Sequence, residues 1–121
     1  MINCLCVGLG GFVGAVLRYL VGLIPVGSSN GFPFKTLAIN IVGSFLIGII
    51  AALAGQNIIN DKLNLFLKVG ICGGFTTFST FALESSQLFK NSSAGLGILY
   101  ILLSVVLSIL AVIAAQAIVS K

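Results

Sequence analysis

Hydrogen-bonding side chains recur along this chain at helical spacing, inside segments that are otherwise apolar. Asn40 and Ser44 are four apart, with Gly43 beside them, and Tyr100, Ser104 and Ser108 repeat the spacing. Thr77, Thr80 and Glu84 follow i, i+3, i+7, next to an aromatic pair, Phe78 and Phe81. Such spacings align side chains on one face of a helix. Amide and hydroxyl groups without an acidic ring are donors suited to an anion. Phenyl rings carry a positive edge, so rings presented edge-on also suit a small anion that has shed water. A serine or threonine in a membrane helix often bonds back to its own backbone, which accounts for any one of these hydroxyls. Asn40 is less easily dismissed, because an amide in hydrocarbon needs a partner.

The run Gly73-Gly74-Phe75-Thr76-Thr77-Phe78-Ser79-Thr80-Phe81 adds a second feature. Adjacent glycines weaken a helix, and in hydrocarbon the freed backbone groups must find partners or line a polar cavity. A break is therefore expected at Gly73-Gly74, near the middle of its span. Carbonyls freed there would attract a cation, close to donors that attract an anion.

Other chemistries find little support. The chain has no His, so the commonest general base is missing, and Asp61 and Glu84 are its only acids. Cys4, Cys6 and Cys72 sit in apolar surroundings and read as small buried hydrophobes. Gly8, Gly10, Gly11 and Gly14 look superficially like a nucleotide-binding loop, but no strand precedes them. Small residues four apart, Gly10/Gly14, Gly11/Ala15 and Gly48/Ala52, instead suit close helix contact in a membrane. The net charge of +4 comes from scattered residues without a basic patch, so no nucleic acid partner is expected.

The elements that must position these groups follow from composition. Of 121 residues, 59% are hydrophobic and 7% charged, where soluble domains carry about a quarter charged. Four apolar runs, about 4–24, 37–54, 65–83 and 96–119, each approach the roughly 20 residues that span a bilayer. The first lacks a basic start and contains Arg18, so it reads as a helix rather than a cleavable signal. We expect an all-α membrane protein, one domain over 1–121, with four transmembrane helices and both termini on one side. Pro25–Lys35, Gly55–Asn64 and Ser85–Gly95 are expected connections.

Lys62, Lys68 and Lys121 fall on the side of the termini, and Arg18, Lys35 and Lys90 towards the other: three against three. Basic residues set orientation, so a tie predicts weak preference and insertion both ways; six charges also tie by chance. Four helices hardly enclose a pore and still pack together, so an oligomer is expected. In an antiparallel dimer the two-fold axis lies in the membrane plane, and the two breaks can meet on it.

Three segments carry a resemblance. Gly10-Gly11-Phe12-Val13-Gly14-Ala15-Val16-Leu17-Arg18-Tyr19, Thr36-Leu37-Ala38-Ile39-Asn40-Ile41-Val42-Gly43-Ser44-Phe45 and Gly70-Ile71-Cys72 followed by the Gly73–Phe81 run resemble, in order and spacing, the helix motifs of the Fluc (CrcB) fluoride channels. The resemblance implies an antiparallel dual-topology homodimer in the bacterial inner membrane, with two fluoride pores and no enzyme activity. Asn40, Phe78 and Phe81 would match the pore-lining asparagine and phenylalanines. Thr77, Thr80 and Glu84 would fall on the polar track, and Tyr100, Ser104 and Ser108 on its fourth-helix side. Arg18 would match an arginine near a pore entrance; as a plain interfacial arginine it would snorkel. Backbone carbonyls of Gly73 and Thr76, two from each subunit, would hold a structural sodium ion. The family often has Gly where this chain has Lys35.

The implied mechanism is passive efflux of fluoride trapped as the weak acid dissociates in the cytoplasm. A four-helix drug exporter is a rival, but it needs an acid in the first helix and none is there. A non-transporting scaffold is another, and it leaves the aligned donors unexplained.

Overall fold

The computed structural model describes residues 1–26, 31–91 and 93–120, and throughout them the chain is helical with short connections. Helix α1 is Ile2–Gly22 and α2 is Phe34–Gly55. A third span covers Asp61–Asn91 in pieces. It opens with α3 (Asp61–Asn64), continues as a π-helix over Leu65–Cys72, and returns to α geometry in α4 (Gly73–Phe75). After a break at Thr76 and Thr77 it resumes as α5 (Phe78–Asn91). Helix α6 is Ala94–Val119. Among the described residues, four helical spans are thus long and apolar enough to cross a membrane. Lys121, counted above among the basic residues, lies outside the described residues.

Polar side chains set the helix starts. Asn60 accepts from the Leu63 N–H at 2.8 Å and Ser93 from the Leu96 N–H at 3.1 Å, each filling one of the donors that a helix start leaves open. The connection expected over Ser85–Gly95 is much shorter, since α5 runs on to Asn91. Gln87, Lys90 and Asn91 are polar but do not break a helix, so α5 extends to Asn91, and Ser93 caps the next helix. Likewise α2 begins at Phe34, directly after Pro33, and carries Lys35 in its first turn.

Two helix pairs hold the bundle: α1 against the first half of the third span, and α2 against α6. The first pair is a contact of backbones. A Cβ at Gly14 would fall 2.8 Å from the Phe75 nitrogen and collide with the Ile71 carbonyl, and one at Gly74 would fall 2.6 Å from the Gly11 carbonyl. Gly10 and Gly70 oppose each other one turn away. This is the close approach that small residues at spacing four allow in hydrocarbon, where packing replaces the hydrophobic drive.

The break lies later than expected. Gly73 is helical, with φ −63° and ψ −38°, and Thr76 is the extended residue, with φ −82° and ψ 160°. Glycine permits a break without compelling one. Gly74 is needed instead for contact with α1, and the chain departs from the helix where side chains stand ready to take over the freed backbone groups.

The glycine contact makes a paired prediction. Gly14→Leu must separate α1 from the third span and should destabilise the folded protein by at least the ~1–3 kcal/mol typical of overpacking. Gly8→Ala, where a new Cβ meets nothing within 4 Å, should be neutral or stabilising by up to about 1 kcal/mol. Thermal unfolding in detergent distinguishes the two.

Candidate anion pathway at the helix break

The break is held by side chains from three helices. Asn40 on α2 makes a reciprocal pair with Thr77: its Nδ2 donates to the Thr77 carbonyl at 3.1 Å, and its Oδ1 accepts from the Thr77 N–H at 2.9 Å. The amide thus replaces both hydrogen bonds that Thr77 would have made in a continuous helix. One Nδ2–H remains after this pair, since the amide has two. Gly43, one turn on, lets α2 come this near; a Cβ there would collide with the Thr76 methyl.

The other freed groups are also answered. Thr76 Oγ1 donates to the Cys72 carbonyl at 2.9 Å, and Arg18 Nε donates to the Gly74 carbonyl at 3.1 Å. Thr77 Oγ1 accepts from the Thr80 N–H at 3.1 Å, which makes Thr77 the N-cap of α5. The two half-helices therefore end against each other inside the bundle, the first with the negative end of its dipole and the second with its positive end.

Two cavities meet at Thr77. One of about 340 Å³ is lined by Asn40, Ser44, Thr76, Thr77, Phe78, Phe81, Ser104 and Ser108, with Gly43, Ile47, Cys72, Val105 and Ile109. The other, about 260 Å³, is lined by Arg18, Lys35, Thr36, Thr77, Thr80 and Glu84 among others. A third, of about 290 Å³, adjoins it at Glu84 and reaches Gln87 and Asn91 at the end of α5. Glu84 and Thr77 thus mark successive steps from the helix ends to the interior.

Tyr100 lies between these spaces. It is completely buried, and its hydroxyl donates to Glu84 Oε1 at 3.1 Å. Its ring belongs to an aromatic chain that links the two main cavities. Phe34 stacks near Phe32 at 4.6 Å, Phe32 meets Tyr100 edge-on at 5.5 Å, Tyr100 meets Phe81 at 5.2 Å, and Phe81 meets Phe78 at 5.6 Å. Ser104 stands out in the inner cavity. It is 6% exposed, and its hydroxyl neighbours that of Tyr100.

The expected site residues thus divide. Asn40, Thr76, Thr77, Phe78, Phe81, Ser104 and Ser108 share the inner cavity; Arg18, Thr77, Thr80 and Glu84 share the outer one. Tyr100 supports both from behind. Gly73 lines none of the three cavities and lies exposed on the surface of the chain. The Arg18 guanidinium reaches the broken helix itself. Thr36 and Phe32 also line the outer cavity, outside the polar stripes expected from the sequence. Thr36 stands four residues before Asn40, so the stripe extended one step further was the available signal. Phe32, in a loop beside Pro33, offered none.

Comparison with known proteins places this arrangement. The family model for CrcB-like proteins, described also as Camphor Resistance (CrcB), matches residues 5–116. A protein of Ruminiclostridium cellulolyticum named fluoride-specific ion channel FluC is 52% identical over 107 residues, 87% of this chain and 82% of its own. Proteins with the same name from Agrobacterium fabrum and Phocaeicola vulgatus are 47% and 46% identical, over 97% and 93% of this chain and 95% and 93% of theirs.

The reciprocal pair at the break is open to direct test. Asn40→Leu strips two part-buried backbone groups of their partners and should cost about 2–6 kcal/mol, at roughly 1–3 kcal/mol for each unsatisfied group. Thr77→Val removes only the cap and should cost about 1 kcal/mol. Thermal unfolding in detergent should rank them in that order.

Proposed function

This chain belongs to the CrcB-like family, and from that membership and its cavities we propose that it is a fluoride-selective channel passively exporting fluoride from the cytoplasm, with two pores in an antiparallel homodimer. The observation that carries the reading is the cavity in which the Asn40 amide, the Ser104 and Ser108 hydroxyls and the Phe78 and Phe81 rings come together. A small anion bound there accepts hydrogen bonds from these donors. The spare Nδ2–H of Asn40 is one of them, and phenyl edges complete the surroundings without a negative face.

The break supports the same reading. The positive end of the α5 dipole begins at Thr77, where the two cavities meet, which favours an anion. The end of the first half-helix favours a cation. Backbone oxygens of Gly73 and Thr76 are hard donors of the kind that hard cations take, and no group of three or more His, Cys, Asp or Glu competes for a metal among the described residues. Gly73 lies exposed, so a second copy of the chain is free to bring its own pair of carbonyls to a shared sodium ion. The ion would tie the two breaks together.

The even division of basic residues favours insertion in both orientations in the inner membrane. A negative cell interior drives an anion outward by about 2.3 kcal/mol per charge per 100 mV. Selectivity rests on replacing tightly held water with donors that still release the ion.

Proteoliposomes loaded with fluoride or chloride and opened with a potassium ionophore should lose fluoride and keep chloride. Replacing both Phe78 and Phe81 by Ala should abolish the loss. Ser104→Ala should slow it about tenfold or more, the scale of one hydrogen bond to a charged group. No fluoride loss from folded wild-type protein would overturn the reading.

A further inference from the structure

We propose that Lys35 is the anion-capture residue of the outer cavity, a cation fixed by the end of α1 so that it concentrates small inorganic anions at the approach to Thr77. The proposal rests on the channel reading above and adds a residue to it.

Lys35 is in the first turn of α2, and its ammonium, though exposed, is anchored. Nζ donates to the Gly22 carbonyl at 2.9 Å and to the Ile24 carbonyl at 3.2 Å. Those oxygens close the C-terminal end of α1, where a cation is favoured by the helix dipole. An ammonium has three N–H groups. Two are therefore spent on holding the side chain in place, and the third is left for a ligand. A lysine stem normally samples many rotamers; here the far end is tethered before any anion arrives.

The same residue lines the outer cavity together with Arg18, Thr36 and Thr80. Among the described residues no carboxylate forms an ion pair with Lys35 or Arg18. Glu84, the one acid on this wall, accepts from Tyr100. Two cations and one acid leave the cavity net positive, with partial charges from the α1 carbonyls offsetting only part of the Lys35 charge. A cleft of one sign raises the local concentration of a counter-ion and its rate of arrival by about 10-fold or more, and that advantage falls steeply as salt rises. The Debye length is about 30 Å at 0.01 M and about 3 Å at 1 M, so capture by Lys35 must fade across that range. A role confined to closing the end of α1 would not.

The test is fluoride efflux from proteoliposomes at sub-saturating fluoride, with an impermeant salt setting ionic strength at about 0.02 M or about 1 M. Lys35→Gln keeps a donor for the α1 carbonyls and removes the charge; Lys35→Arg keeps the charge. The readout is the ratio of the low-salt to the high-salt rate within each variant, which does not depend on the fraction of active protein. For Lys35→Gln the ratio should fall two- to tenfold below wild type, a share of the steering expected of a charged cleft, while Lys35→Arg should match wild type. An unchanged ratio in Lys35→Gln, whether its rates equal those of wild type or fall equally at both salts, would overturn the capture role and leave the channel reading standing. Absence of fluoride efflux from wild type would overturn both.

Discussion

The structure depends on one side-chain amide, Asn40, taking the place of a helix. A membrane span is continuous because its backbone has nowhere else to find hydrogen bonds. Here the third span stops in mid-course, and Asn40 gives Thr77 both a donor and an acceptor from a neighbouring helix. Once that exchange is made, two half-helix ends can exist inside the bundle. The electrostatics of the site follow: donors and a positive dipole on one side of the break, carbonyls and a negative dipole on the other. Few residues other than Asn or Gln present a donor and an acceptor at the correct separation on one side chain, so the requirement is narrow.

Close packing of α1 is the second condition, and it is coupled to the first. Glycines at 10, 14, 70 and 74 bring two backbones into contact. That approach is what allows Arg18, one turn beyond Gly14, to reach the Gly74 carbonyl. On the other side Gly43 admits Thr76 and so lets Asn40 reach Thr77. The glycines therefore serve the break by bringing its partners near rather than by weakening the helix. Gly73-Gly74 looks like the breaking point in one dimension because glycine is a poor helix former, but conformational freedom is only a permission. The competition was decided by which residues had partners waiting, and those were the two threonines.

This explains what could be read from the chain alone. The four spans were legible because length and apolar composition determine them locally. The polar stripes were legible because spacing of four is a property of one helix. The pairing of Asn40 with Thr77 is not local: the residues are 37 positions apart, and nothing in either segment names the other. Arg18 is similar. Its place near the end of α1 suggests an interfacial group, and only the glycine contact reveals that its side chain turns toward the break. The length of α5 is hidden for a different reason. Polar residues resemble a connection, whereas a helix leaving an apolar layer changes its composition without ending.

One feature of the fold argues about what lies outside it. Phe78 contributes to the wall of the inner cavity and is nevertheless 79% exposed in the single chain. Lipid is a poor neighbour for that wall, because the spare N–H of Asn40 and the hydroxyls lining the same cavity would then face hydrocarbon. The cavity needs a further wall. In the proposed antiparallel pair that wall is a second copy, which brings Gly73 carbonyls together on the axis and covers the Phe78 rings in the same movement. The exposed glycine and the exposed phenylalanine then have a common cause, since both belong to a break that one chain builds and leaves half enclosed.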